Sequence, residues 1–399
     1  MSSSLSSSFF RHVGQTSPEP DGLEVIRGDG IYIFDKDEKQ FIDCISGIAV
    51  SSMGHGHPRI HNAIKQQLDL HLHTMVYGEH IQVPQVALAE KLAALLPQNL
   101  NCTFFSNSGT EAVEGALKLA RKYTSRYNVI ACRNAYHGST AGAESLRSDF
   151  THTAGARPLV PGIRHIDFNS FDDIALINTQ TAAVIIEPIQ GEAGAITPTE
   201  GYLYSLRKQC DATGTLLIFD EIQTGMGRTG SMWAFEHENV IPDILLLAKA
   251  FGGGLPLGAF ISSQQIMSVL SHDPILGHLS TFGGHPLSCA ASLEAIHITL
   301  ENNLPGKALA FEKQIRAKLE LHPALKEISG RGLMLALHLQ QPEKLFDVVR
   351  ACRQQGLLVD WFLFNNQAIR FAPPLIINED ELNVICEKLI LALDSFSSR

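Results

Sequence analysis

The chain has 399 residues, room for two or three domains at about 150 residues each. Its 31 Lys and Arg against 41 Asp and Glu leave a net charge of −10, which argues against nucleic acid as a partner because counterion release needs a cationic face. At 45% hydrophobic and 18% charged residues, it carries too much apolar content for a disordered chain and enough for a large core.

The amino terminus, MSSSLSSSFFRH, has no basic start and no continuous apolar run, so it does not read as a secretory signal. Its serines are expected to form a frayed tail. Gly30–Phe34 reads as a strand. The segment 1–45 is too short to stand alone and is expected to pack against the carboxy-terminal part of the chain. From about 85 to 290 short apolar runs alternate with helical patterns. Asn101–Phe105, Asn128–Cys132, Ala182–Glu187, Thr215–Asp220 and Ile244–Ala248 are apolar without polar alternation, the signature of strands buried on both faces. Between them, Leu88, Leu92, Leu95 and Leu96 in Gln85–Leu96 and Val113, Ala116, Leu117 and Ala120 in Glu111–Tyr123 recur at helical spacing. Strands alternating with helices imply a mostly parallel α/β sheet covered on both sides, which we assign to residues 46–304. Helix Lys307–Leu321, strand Gly332–Leu339, helix Glu343–Gln355, strand Leu357–Phe364 and helix Glu379–Phe396 then compose a smaller α+β unit over 305–399. No run approaches the roughly 18 apolar residues of a membrane helix. The seven cysteines (Cys44, Cys102, Cys132, Cys210, Cys289, Cys352, Cys386) are scattered without a CxxC pair, as expected for reduced thiols in a cytoplasmic protein.

Ligands of open α/β sheets bind beyond the carboxyl ends of the strands, so the polar residues there carry the functional signal. After Asn101–Phe105 comes Ser106-Asn-Ser-Gly-Thr-Glu111 and a helix. Such a turn either holds a phosphate on backbone N–H groups and hydroxyls or is an ordinary N-cap. The strand TLLIFD ends in Asp220, a carboxylate that could hold a metal, orient a base, pair with a cationic ring nitrogen, or merely cap a helix. The strand ILLLA ends at Lys249. Leaving an apolar strand, that amine is either a desolvated nucleophile with a depressed pKa or a lysine snorkelling to the rim.

Two other patterns mislead. Gly225-Met-Gly227-Arg-Thr-Gly230 fits GxGxxG, but Asp220–Thr224 separates it from its strand, and the next strand leads to Lys249 instead of an acid. A nicotinamide oxidoreductase is therefore a distant alternative. The pairs His55/His57 and His71/His73 lack an accompanying Cys or acidic cluster, so no metal is assigned.

A Ser-Gly-Thr cup, a strand-end acid and a strand-end lysine are together the three handles that pyridoxal 5′-phosphate needs. The chain resembles the class III ω-aminotransferases of fold type I, closest to the acetylornithine/ornithine branch. The resemblance is carried in order by SGIAVSSMGHGHP (46–58), SNSGTEAVEGALKLARKY (106–123), AYHGST (135–140), EPIQGEAG (187–194), FDEIQTGMGRTG (219–230), LLAKAFGGGLPLGA (246–259), STFGGHPLSCAA (280–291) and IRFAPPL (369–375). It implies that Lys249 carries the cofactor as a Schiff base, Asp220 holds its ring nitrogen and Gln223 its phenolic oxygen. It also implies that Ile222 and Tyr136 cover the two ring faces, and that Ser108, Gly109 and Thr110 bind the phosphate, with Thr281 added from the partner of a homodimer. Glu192 and Arg370 match a pair that opens to bind the second substrate's carboxylate, and Ser139 and Ser280 fall at substrate positions. The branch usually carries Arg where this chain has Ser139. The implied reaction moves an amino group from an ω-amino acid or diamine to 2-oxoglutarate, with a 4-aminobutyrate-type transaminase or an aminomutase as alternatives.

Overall fold

The computed structural model describes residues 5–76 and 78–396. Its largest sheet has seven strands in the spatial order Cys102–Ser106, Gly258–Ser262, Ile244–Leu247, Leu216–Asp220, Thr181–Ile186, Asn128–Cys132 and Ile163–Ile166. The last five pair in parallel. Gly258–Ser262 runs antiparallel to both its neighbours, and two reversals return Cys102–Ser106 to the common direction. The carboxyl ends of six strands therefore reach one edge. Strands Thr181–Ile186, Leu216–Asp220 and Ile244–Leu247 are buried at every residue, which is why their sequences show no alternation. Gly258–Ser262 escapes a sequence reading because it follows a glycine-rich loop. Ile163–Ile166 escapes because its IRHI pattern resembles a polar turn.

A second, four-stranded antiparallel sheet is made by Leu325–Arg331, Met334–Leu339, Ala368–Phe371 and Asp360–Trp361. Helices Leu304–Leu319, Leu345–Gln354 and Glu379–Asp394 belong to the same stretch of chain. A third sheet joins Val25–Asp29, Tyr32–Asp35 and Gln40–Asp43 to Leu357–Leu358, which pairs in parallel with Gln40–Asp43.

Two expectations need correction. The single strand Leu357–Phe364 is two: Leu357–Leu358 joins the amino-terminal sheet, and Asp360–Trp361 pairs with Ala368–Phe371. The chain changes sheets at Val359, between Leu357–Leu358 and Asp360–Trp361, so one extended stretch serves two partners. The frayed tail is also wrong in part, because Leu5–His12 is a helix without buried residues. Leu5, Phe9 and Phe10 fall at i, i+4 and i+5, and serine lowers helix propensity only weakly. Residues 1–4 lie outside the described residues.

Candidate active site

At the carboxyl edge of the large sheet lies a cavity of about 560 Å³ whose walls include Ser108, Gly109, Thr110, Tyr136, His137, Ser139, Glu187, Glu192, Asp220, Ile222, Gln223 and Lys249. Ten of these twelve are positions singled out from the sequence, drawn from five strand ends and the loops beyond them.

The 16-residue helix Gly109–Thr124 starts in this wall. Ser108 is its N-cap, its Oγ accepting the Glu111 N–H at 3.3 Å, so the capping reading of the Ser-Gly-Thr turn holds. It does not compete with phosphate binding, because the other first-turn N–H groups still carry the positive end of the helix dipole. Thr110 Oγ1 meets Thr140 Oγ1 at 2.6 Å and accepts the Thr140 N–H at 3.2 Å, tying the cup to the 135–140 loop.

Asp220 is 3% exposed. Its Oδ1 accepts the Ile222 N–H at 3.0 Å, and its Oδ2 lies 2.7 Å from His137 Nδ1. Burial alone would depress the His137 pKa, but the Asp220 hydrogen bond and charge, helped by Glu187, raise it above the ordinary value. His137 Nε2 is buried without a hydrogen-bond partner among the described residues. Glu187 directly follows strand Thr181–Ile186 and accepts the N–H groups of Tyr136 at 3.3 Å and Gly191 at 3.0 Å. Burial lifts its pKa to about 7, His137 opposes the rise, and Asp220 adds to it. His137 and Glu187 received no role from the sequence. Reading the strand ends evenly would have found Glu187, whereas His137 meets Asp220 across 83 positions, a contact without a local signal.

Lys249 follows Ile244–Leu247 and sits at φ +51°, the left-handed region that a non-glycine residue occupies at some cost. Its side chain is half-buried and lines the cavity, which favours the desolvated nucleophile over a lysine snorkelling to an outer rim. Desolvation lowers its pKa from the ordinary lysine value, and the Glu192 charge partly offsets this. Asp220 pairs with Leu246 on the adjacent strand, so acid and amine leave neighbouring strands three residues apart in register.

Ile222 packs against Gly109, where a Cβ would stand 2.8 Å from Ile222 Cδ1. Tyr136 Oη lies 3.4 Å from Ser139 Oγ. Glu192 faces the cavity and holds Arg370 by two bonds of 2.8 Å, while Arg370 Nε lies 3.0 Å from Asp360. Burial would raise the Glu192 pKa, but Arg370 outweighs it and the pKa falls. Arg370 itself stands behind Glu192, in a small neighbouring pocket with Gln223. Ser280 and Thr281 are not in the Lys249 cavity. They line an adjacent cleft, where Ser280 Oγ accepts from Asn107 Nδ2 at 2.9 Å and Thr281 is exposed.

The misleading motifs have structural uses. Arg228 of GMGRTG is fully buried and donates to Leu333 O, Pro373 O and Ser52 Oγ, fastening three distant segments. His57 Nδ1 accepts the Arg59 N–H at the start of helix Pro58–Leu70, His55 pairs with Asp43, and His73 stacks on His285. Among the described residues no cluster of three His, Cys, Asp or Glu side chains has metal-binding geometry.

A helix N-terminus with hydroxyls, a buried acid backed by a histidine, and a desolvated lysine share one cavity of cofactor size. This donor set fits pyridoxal phosphate, whose phosphate, ring nitrogen and carbonyl need one group each. The chain belongs to the class-III aminotransferases, whose family pattern matches residues 15–393. It is a pyridoxal-phosphate-dependent ω-aminotransferase of fold type I. It is 42% identical over 375 residues to an acetylornithine aminotransferase of Methanopyrus kandleri, covering 93% of this chain and 94% of that protein. The ornithine aminotransferase of Toxoplasma gondii superposes with a TM-score of 0.90 at 32% identity, over 97% of this chain and 94% of that one. An amine transaminase from an uncultivated Pseudomonas species, solved with pyridoxal phosphate bound, gives a TM-score of 0.87 at 30% identity, over 96% and 98% of the two chains.

Proposed function

We propose that this transaminase moves an amino group from an ω-amino acid or diamine of the acetylornithine or ornithine type to 2-oxoglutarate, with Lys249 and Asp220 as its catalytic residues. The observation that carries the reading is the convergence of these two side chains, from adjacent strands, on the cavity that also holds the Ser108–Thr110 helix start. Bound pyridoxal phosphate supplies an electron-withdrawing ring conjugated to the substrate nitrogen. Ser108, Gly109 and Thr110 hold the phosphate through N–H groups and hydroxyls. Asp220, fixed by His137 and by the Ile222 N–H, keeps a proton on the ring nitrogen through opposite charge. Ile222 and Tyr136 would cover the ring and exclude water, and Gln223 would hold the phenolic oxygen. Lys249 anchors the cofactor. Burial lowers the Lys249 pKa, so a released Nζ would favour the uncharged amine, able to take a proton from the substrate carbon and return it. Arg370, released by Glu192, grips the acceptor's carboxylate as a planar fork.

We further infer a homodimer in which Thr281 completes the partner's phosphate site. Phe282, Leu279 and Ile275 expose apolar surface around it, which favours an interface there. The division into 1–45, 46–304 and 305–399 is likewise our proposal, supported by the pairing of Leu357–Leu358 with Gln40–Asp43. A cytoplasmic setting accords with seven free cysteines and with the finding that no described helix is long and apolar enough to cross a membrane.

The test is spectroscopic and chemical. The purified protein should carry a visible cofactor band that borohydride abolishes and Lys249→Ala lacks. Donor plus 2-oxoglutarate should yield glutamate in equal amount. A colourless protein, or an unchanged spectrum in Lys249→Ala, refutes the assignment.

A further inference from the structure

Next to the cavity lies a buried cation that the reaction outlined above does not use. Arg147 follows the short helix Ala141–Ser145, and its side chain is 7% exposed. Its Cζ stands 5.8 Å from the ring centre of Tyr136, a cavity-wall residue, and 5.3 Å from that of Phe364. Phe364 N–H donates to Glu192 O at 3.0 Å, and Leu363 N–H donates to Glu192 Oε2 at 3.1 Å. Arg147 thus lies against the same strap of chain that braces the Glu192–Arg370 pair.

Its bonding is loose by comparison. Arg370 makes two bonds of 2.8 Å and a 3.0 Å contact. Arg147 Nη1 reaches both Glu144 oxygens only at 3.4 Å, and Nε stands 3.6 Å from Asp149 Oδ2. Neither Nε nor Nη2 has a hydrogen-bond partner among the described residues. Asp149 Oδ1 accepts the His152 N–H at 2.8 Å and faces His152 Nδ1, while its Oδ2 faces Arg147 Nε beyond hydrogen-bond distance. Glu144 and Asp149 balance the guanidinium charge without satisfying its donors. A buried, under-bonded guanidinium favours a planar acceptor with two oxygens. On the cavity side the small neutral Ser139 stands beside Tyr136 and leaves that stretch of wall without a charge of its own.

We propose that Arg147 recognises the carboxylate of the amino donor, making it a specificity residue that selects ω-amino acids over plain diamines. This rests on the donor class proposed above. The amine end of such a donor goes to Lys249, and its carboxylate turns past Tyr136 and Ser139 to the free edge of the Arg147 fork. Arg370 is left for the acceptor.

The experiment uses the holoenzyme. L-Ornithine and 1,4-diaminobutane differ only by the carboxylate. Each is added without acceptor, and its half-saturating concentration is read from bleaching of the visible band. Recovery of the band with 2-oxoglutarate gives the same constant for the acceptor. Arg147→Gln should raise the ornithine constant about ten- to a hundredfold and leave those for 1,4-diaminobutane and 2-oxoglutarate within about twofold. Arg147→Lys keeps the charge beside Glu144 and Asp149, is expected to fold like the native chain, and should show the same selective rise at smaller size. Ser139→Arg added to Arg147→Gln should restore ornithine. Equal rises for both donors, or no rise in either variant, overturn the role of Arg147 while leaving the donor class intact. A native enzyme that no ω-amino donor bleaches refutes the donor class, and the role of Arg147 falls with it.

Discussion

Replacing Asp220 by Asn preserves the shape of the strand end and removes one charge. In the native protein that carboxylate is 3% exposed and accepts from Ile222 N at 3.0 Å and from His137 Nδ1 at 2.7 Å. A charge-assisted hydrogen bond contributes about 1.5–3 kcal/mol, which is about ten- to 150-fold in affinity at roughly 1.4 kcal/mol per decade. Asp220→Asn should therefore weaken pyridoxal phosphate binding by that factor without abolishing it, since the helix N-terminus still holds the phosphate. Titration of the cofactor-free protein, followed by absorbance, measures it. The substitution has a second signature. The raised His137 pKa means that the folded protein binds the imidazolium proton more tightly than the unfolded chain. The resulting stabilisation is complete below the ordinary histidine value of about 6.5 and is lost as pH rises through the folded value. Without the Asp220 charge, burial drives the His137 pKa down and this contribution disappears. The stability gap between native and variant proteins should be largest below about pH 6.5 and narrow above it. Thermal unfolding of the cofactor-free proteins between pH 5.5 and 8.5 reads the gap. An unchanged cofactor affinity, or a gap independent of pH, refutes the pairing as the source of the site's electrostatics.

Three further outcomes follow from the geometry. Gly138 sits at φ +130°, and a Cβ there would stand 2.3 Å from Thr110 Oγ1. Gly138→Ala should lose about 1–3 kcal/mol of stability and weaken cofactor binding, as measured by urea unfolding and cofactor titration. Glu192→Gln leaves Arg370 with Asp360 and Trp361 O and should lower the half-saturating concentration of 2-oxoglutarate several-fold in steady-state assays. The His237 pKa is depressed to about 4 by burial, with Arg331 repulsion added. The folded state then binds fewer protons than the unfolded chain, so stability should fall as pH drops from about 6.5 towards 4. His237→Gln should flatten that acid limb in thermal unfolding.

The sequence alone was enough to locate Lys249 and Asp220. Strands buried on both faces must be apolar throughout, so the polar residue that ends or follows such a run marks the ligand edge of the sheet. Helix Gly109–Thr124 and its Ser-Gly-Thr start were legible for a similar reason, since capping and helical periodicity are local. Lateral order and long-range pairing are not local. Only the folded chain brings His137 onto Asp220, slots Gly258–Ser262 antiparallel between parallel neighbours, and divides Leu357–Trp361 between two sheets. It likewise turned the glycine-rich GMGRTG segment into a means of burying Arg228 among three distant acceptors. A stretch of chain specifies its own periodicity and turns. Which stretches meet is decided across the whole molecule, where apolar faces are buried together and most buried donors and acceptors find distant partners.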